Sequence, residues 1–222
     1  MLSALRVSSS KPTATMVIIH GLGDSGEGWK FLSDIFQRQD QLKHINFVFP
    51  NAPLNPVSIA GGAQMPSWFD LYPPDDPTHP EDTVGFWKSA DQIKQLIQKE
   101  IDSGIPSNRI IVGGFSQGAA LSLAVAASST TKLAGVLCLS GFCPVPSSLP
   151  GKVTDTNKST PIFQAHGDED PIIPLAQGRQ TLELYRKLGF ENIDFKEYAG
   201  MAHSSCPEEL QDIIAFVRKT LP

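Results

Sequence analysis

The 222-residue chain predicts an α/β domain built on a mostly parallel central sheet. Short β-branched runs alternate with longer segments of helical periodicity from one end to the other, as repeated strand–helix units require. The first run, Met16-Val17-Ile18-Ile19, is apolar throughout rather than alternating, which marks a strand buried on both faces. Neither a composition break nor an internal repeat interrupts the series, so residues 1–222 read as one domain.

Met16-Val17-Ile18-Ile19 is the first such run, and His20-Gly21-Leu22-Gly23-Asp24 after it reads as a glycine-rich turn. Apolar residues at helical spacing from Trp29 through Leu32, Ile35 and Phe36 predict a helix, followed by a strand from Asn46 to Phe49. Residues 50–80 hold eight prolines and predict a long loop, since prolines this dense forbid a long helix. Within it, Met65-Pro66-Ser67-Trp68-Phe69 is an apolar island that either anchors the loop to the core or touches substrate. Phe86, Ala90, Ile93, Ile97 and Ile101 mark one face of a long helix stopped by Gly104 and Pro106. Strands follow over 109–114, 136–139, 161–165 and 193–198, with helices over 119–127 and 176–187. The last helix starts at Pro207, with Glu208 and Glu209 in its acidic first turn and Leu210, Ile213, Val217 and Leu221 facing inward.

Composition excludes several classes. A net charge of −5 and no cluster of Lys and Arg repel polyanions, so no nucleic acid is expected as a partner. Cys138, Cys143 and Cys206 are too few and odd in number for a disulfide framework, show no zinc-type spacing, and suit a reducing compartment. No apolar run approaches the roughly 18 residues that a membrane span needs. Residues 1–15 are too weakly apolar for a signal peptide, have Leu2 where myristoylation needs glycine, and leave a mitochondrial presequence as the alternative. The expected location is the cytoplasm, extending to the nucleus.

The chemistry concentrates in Gly113-Gly114-Phe115-Ser116-Gln117-Gly118. A bare G-x-S-x-G arises by chance in roughly one chain in ten of this length. Its setting is far more specific: a strand runs directly in and an apolar helix runs directly out, as a nucleophile elbow requires. The bland alternative is a glycine-rich turn with a helix-capping serine. A serine nucleophile needs a base and the base an orienter, in chain order serine, acid, histidine. Of His20, His44, His79, His166 and His203, only His203 follows Ser116 with room upstream for an acid at a strand end. The turn after the first core strand suits an oxyanion site made of the Leu22 and Gln117 amides, with His20 as a hydrogen-bonding residue of that turn. Asp168, Glu169 and Asp170 are the acid candidates. Asp168 suits an Asx-type turn, Glu169 a solvent-facing position, and Asp170 is held extended before Pro171. Cys206, beside His203 in sequence, lacks an elbow.

The motifs His20-Gly21-Leu22-Gly23-Asp24, Pro66-Ser67-Trp68-Phe69-Asp70, Gly113-Gly114-Phe115-Ser116-Gln117-Gly118, His166-Gly167-Asp168-Glu169-Asp170-Pro171 and Gly200-Met201-Ala202-His203-Ser204-Ser205-Cys206 resemble, in order and spacing, the acyl-protein thioesterases of the phospholipase/carboxylesterase group. The resemblance implies an α/β-hydrolase fold and hydrolysis of fatty acyl thioesters on protein cysteines, with weaker action on lysophospholipids and simple esters. It implies Ser116 as nucleophile, Asp170 as orienter, His203 as base, and the Leu22 and Gln117 amides as oxyanion hole. Trp68, Phe69 and Leu71 would border an acyl-chain groove at the edge of the 50–80 loop. No cofactor and no metal is implied. The implied partners are S-acylated proteins or lipid esters, with transient contact at a membrane surface; the oligomeric state is not legible. Two departures stand out: no cysteine near the start where some relatives carry a palmitoylated one, and Asn55 where some carry arginine. The competing readings are a broad short-chain carboxylesterase and a non-catalytic binding protein of the same fold.

Overall fold

The computed structural model describes residues 2–72 and 81–222. In chain order the strands are β1 (Ala4–Val7), β2 (Ala14–Ile19), β3 (Ile45–Pro50), β4 (Leu54–Val57), β5 (Ala63–Pro66), β6 (Ile110–Phe115), β7 (Gly135–Leu139), β8 (Ile162–Gly167) and β9 (Ile193–Tyr198). The helices are α1 (Phe31–Gln37), α2 (Thr83–Asp102), α3 (Gln117–Ser128), α4 (Leu175–Lys187) and α5 (Pro207–Thr220). Seven strands form the main sheet in the order β1-β3-β2-β6-β7-β8-β9, parallel except for β1, which runs antiparallel to β3.

The apolar runs end up where their composition requires. Every residue of β2, β7 and β8 is buried. Alternation along the strands divides the core in two. Val17, Ile19, Val112, Val136 and Cys138 pack with α2 and α3 on one face, while Met16, Ile18, Ile111, Leu137 and Phe163 pack with α1 and α5 on the other. Helix α3 is buried almost all round, and its run of alanines lets it lie close to both the sheet and α2.

Two elements were not anticipated. The segment weighed as a presequence carries β1, whose Arg6 pairs with the buried Glu100 of α2 at 2.6 Å, while Thr15 Oγ1 donates to the other Glu100 oxygen at 3.0 Å. The Pro-rich loop contains an antiparallel hairpin, β4–β5, in which Pro56 and Pro66 sit in a two-stranded sheet. A ribbon this small has two edges and therefore tolerates residues without an N–H. Pro73, Pro74, Pro77 and Pro80 and His79 lie outside the described residues.

The strand order places the functional edge. From β2 the chain crosses to β3 in one direction, and from β6 to β7 in the other, so a crevice opens beyond the carboxyl ends of β2 and β6. Leu22 follows β2 and Ser116 follows β6.

Candidate active site

Ser116 stands between β6 and α3 with φ 55° and ψ −116°, one of two non-glycine residues with positive φ among those described. The other is Ser140, at the end of the neighbouring β7, and Ser116 N donates to Leu139 O at 2.9 Å. A strained residue persists only where its surroundings over-determine it. Here the glycines at 114 and 118 allow the over-determination: a β-carbon on Gly114 would run into the Gly118 backbone, and one on Gly118 into Ile19 O of β2. The Ser116 side chain does not cap α3, which removes the capping alternative.

The turn after β2 meets this elbow directly. A β-carbon on Gly21 would lie 3.3 Å from Ser116 Cβ. His20 is fully buried; its Nδ1 donates to Gly21 O at 2.6 Å and its Nε2 accepts from Ala52 N at 3.1 Å, which fixes a neutral tautomer. Burial pushes its pKa below the ordinary histidine value, consistent with that role. The Leu22 amide makes no hydrogen bond among the described residues. Gln117 is the first residue of α3, so its amide has no acceptor one turn back. Two uncommitted N–H groups therefore flank Ser116.

On the far side, two loops after β8 and β9 are zipped together. Asp168 N donates to Tyr198 O at 3.1 Å, and Glu169 N donates to Met201 O at 3.2 Å. The approach depends on Gly167, where any β-carbon would collide with Met201 O. Asp170, only 6% exposed, then points both ways: Oδ1 accepts from Ile172 N at 2.9 Å and Ile173 N at 2.8 Å, and Oδ2 faces His203 Nδ1 at 2.7 Å. A carboxylate only accepts, so Nδ1 carries the His203 proton and Nε2 keeps its lone pair. The His203 ring rests on Phe115, the residue before Ser116, with ring centroids 4.6 Å apart. The structure thus brings Ser116, Asp170, His203, Leu22 and Gln117 to one edge.

The acids divide differently from the sequence expectation. Glu169 is exposed, as expected. Asp168 makes no Asx turn; its Oδ1 accepts from Gly200 N at 2.7 Å, tying its loop to that of His203. The turn that caps its own loop is made by Asp170 through the Ile172 and Ile173 amides.

The aromatic island also resolves. Trp68 and Phe69 are 1% and 2% exposed and belong to the core beside Phe86 and α3. Trp68 Nε1 donates to His20 O at 2.9 Å, and the Ser89 hydroxyl donates to Trp68 O. Of the two readings of this island, anchoring is the one its packing carries. Leu71 is half-buried against the same core, and its carbonyl accepts from Ile59 N. The anchor's partner was missed in the sequence: the Gln117 side chain accepts from Trp68 N at 3.1 Å and donates to Phe69 O at 2.9 Å, bolting the 66–69 segment to the elbow helix. Asn55 donates to Ser67 O at 2.8 Å and so supports the same segment.

The cysteines stay unactivated. Burial pushes Cys138 up to about 12 and Cys143 up to about 11. Cys206 caps α5, its sulfur accepting from Glu209 N, and burial raises it too. Among the described residues no group of three or more His, Cys, Asp or Glu could hold a metal ion, and no helix is long and apolar enough to cross a membrane.

A strained serine between a parallel strand and a buried helix, two free amides beside it and a histidine held by a buried carboxylate define an α/β hydrolase. The comparisons narrow the class. Residues 3–221 match the phospholipase/carboxylesterase family model, and the chain belongs to that family of hydrolases. It is 47% identical to acyl-protein thioesterase 1 of Debaryomyces hansenii over 227 residues, covering 100% of this chain and 98% of that one. It is 43% identical to acyl-protein thioesterase 1 of Saccharomyces cerevisiae, with 99% of each covered. Among solved structures, Arabidopsis thaliana SOBER1 matches with a TM-score of 0.87 at 31% identity, over 94% of this chain and 99% of that one. Zea mays acyl-protein thioesterase 2 matches with a TM-score of 0.85 at 28% identity, over 99% of each.

Proposed function

We propose that the protein hydrolyses fatty acyl thioesters on protein cysteines, releasing palmitate-like acids through a covalent acyl-enzyme. Ser116 is the nucleophile, His203 the base and Asp170 its orienter. The observation that carries this is the 2.7 Å contact from His203 Nδ1 to the buried Asp170, set beside the positive-φ Ser116. The substrate class is supported by identity above 40% over nearly the whole chain to proteins named acyl-protein thioesterase.

In the first step His203 Nε2 takes the Ser116 proton as Oγ attacks the acyl carbon. The oxyanion accepts from the Leu22 and Gln117 amides, and His203 then protonates the departing cysteine thiolate. Water repeats the sequence on the acyl-enzyme and regenerates Ser116. General-base assistance contributes about 10²- to 10⁴-fold, and each oxyanion donor about 2.7–4 kcal/mol. The carboxylate of Asp170 holds the tautomer and stabilises the imidazolium without itself gaining the proton. No step calls on a metal or an organic cofactor.

The same chemistry opens oxyesters, so lysophospholipids and simple carboxylic esters are secondary substrates. Access to acylated proteins implies transient work at a membrane surface. Each methylene buried in a groove contributes roughly 0.8 kcal/mol, so chain length is the discriminating variable. Hydrolysis of thioesters and oxyesters from C4 to C16 should rise with length and favour the thioester; a flat or short-chain profile would refute the depalmitoylating reading in favour of a general carboxylesterase. A fluorophosphonate should label the wild type and not Ser116→Ala, whereas an unlabelled folded wild type would indicate a binding protein.

A further inference from the structure

The last residues of β8 hold a second histidine, and the proposed mechanism gives it no task. His166 is fully buried, and its Nε2 lies 2.8 Å from Ile173 O. A carbonyl only accepts, so Nε2 carries the ring proton. That bond spans the loop containing Asp170. Ile173 closes the connection from its other side, since its amide donates to Asp170 Oδ1 at 2.8 Å. The same Nε2 also stands 3.6 Å from Asp170 Oδ2, the oxygen that receives His203 Nδ1 at 2.7 Å. Asp170 Oδ2 therefore sits between two imidazoles, one reactive and one enclosed.

The other ring nitrogen explains how His166 is kept in place. Nδ1 is buried without a hydrogen-bond partner and faces Gly178 of α4, where an added β-carbon would lie 2.5 Å away. Gln164 Nε2 donates to Gly178 O at 2.8 Å and fixes that turn of α4 against β8. A buried histidine that leaves one nitrogen unsatisfied is an unfavourable core filler. Its other nitrogen meets both the carbonyl that closes the Asp170 turn and the edge of the carboxylate.

We propose that His166 is a positioning residue for the Asp170–His203 pair, holding the Asp170 turn closed through Ile173 and presenting a second N–H edge to Asp170 Oδ2. The inference rests on the assignment of Asp170 as orienter and His203 as base. Loss of this hold lets the carboxylate shift relative to His203, and a displacement of about 1 Å in such a constellation lowers turnover by about 10²-fold.

The test compares His166→Phe, which fills the slot without an N–H, with His166→Gln, whose amide nitrogen reaches the position of Nε2. A soluble short-chain p-nitrophenyl ester serves as substrate, and Ser116→Ala, His203→Ala and Gly178→Ala are made alongside. His166→Phe should lower kcat about 10- to 100-fold with KM little changed, and His166→Gln should recover most of kcat. Gly178→Ala, which presses on the ring from α4, should reproduce the kcat loss and decides the matter if His166→Phe does not fold. Folded His166→Phe or Gly178→Ala with wild-type kcat overturns the proposal, as does His166→Gln no better than His166→Phe. Those results with Ser116→Ala and His203→Ala inactive would sink this proposal alone; an active Ser116→Ala would sink the assignment beneath it.

Discussion

Replacing Asp170 by asparagine isolates the orienting role from the structural one. Asparagine is nearly isosteric and its carbonyl can occupy the place of Oδ1, keeping the bonds from Ile172 N and Ile173 N at 2.9 and 2.8 Å. Its NH₂ then faces His203 Nδ1 in place of Oδ2. Two donors cannot pair, so the imidazole reverses its tautomer and Nε2 acquires the proton it must be free to accept. Tautomer reversal of this kind lowers kcat by about 10⁴, or roughly 5.4 kcal/mol of barrier. Stability loses only the net value of one charge-assisted hydrogen bond, about 1–2 kcal/mol, or about 2–8 °C in Tm for a domain of this size. Steady-state hydrolysis of a chromogenic ester, fluorophosphonate labelling rates and a thermal melt on the same preparation separate the two effects. Glu169→Gln, at an exposed position, is the control and should retain wild-type kcat. A folded Asp170→Asn within tenfold of wild type, or an equal loss from Glu169→Gln, would refute the reasoning.

Other groups give independent tests. Gln117→Leu keeps the α3 amide but leaves Trp68 N buried without a partner, while Phe69 O keeps the Ser67 hydroxyl, so urea unfolding should show a loss of about 1–3 kcal/mol and a smaller effect on kcat than any triad change. Glu209 is buried with both oxygens unpartnered, and burial alone raises it to about 8. Its folded pKa lies above its unfolded value, so its contribution is present below about 4.5 and is lost as pH rises to about 8, on the order of a few kcal/mol. Glu209→Gln should therefore gain stability over the wild type at pH 9 and not at pH 5; an equal difference at both would contradict this. His20 and His44 are shifted the other way, by burial first, with Arg109 also lowering His44. Their contribution is complete above the unfolded value near 6.5 and is lost as pH falls, because the unfolded chain binds the protons first. His44→Gln should flatten the stability slope between pH 6.5 and 5, as read by denaturant midpoints, and an unaltered slope counts against the argument.

The legible parts of the fold share a cause. The strand 193–198 agrees with β9 because its limits are set locally, by turn residues before it and glycine after it. The elbow was legible because strand, glycines and apolar helix are contiguous. β1 was not: Ala4-Leu5-Arg6-Val7 is short and carries a charge at its centre, and the carboxylate that receives that charge lies 94 residues away. Local turn chemistry gave the loop-forming role to Asp168, whereas the amides of that turn bond to Asp170. What distinguishes them is Gly200, 32 residues beyond one, and His203, 33 residues beyond the other. His166 was considered only as a rival to His203, and its partner Ile173 is a backbone carbonyl, which leaves no trace in side-chain identity. Trp68 and Phe69 show the same limit in reverse, because an aromatic pair in a proline-rich loop has the same composition whether it lines a groove or fills a core. The hydrogen bonds from Gln117 decide between them, and a glutamine following a nucleophile motif does not announce which backbone it will grip.

That burial has a consequence for acyl-chain selection. With Trp68 and Phe69 enclosed, the prediction for an acyl chain turns to Ile172, an exposed apolar side chain two residues from Asp170. It is 63% exposed, yet its amide is fixed to Asp170 Oδ1 at 2.9 Å, so the side chain is held in the open within two residues of the orienter. An exposed isoleucine on a rigid turn lowers the entropic penalty of gripping a flexible alkyl chain. Shielding that side chain against a long acyl chain is worth about 1–2 kcal/mol, or about 5- to 30-fold in kcat/KM. Ile172→Ser keeps the backbone bond and removes the apolar surface, so activity on a C16 thioester should fall by that factor while a C4 thioester loses much less. The ratio of the two rates, measured below the concentration at which the longer substrate forms micelles, reads the effect directly. Equal losses on both substrates would place Ile172 in the support of Asp170 rather than in contact with the acyl chain.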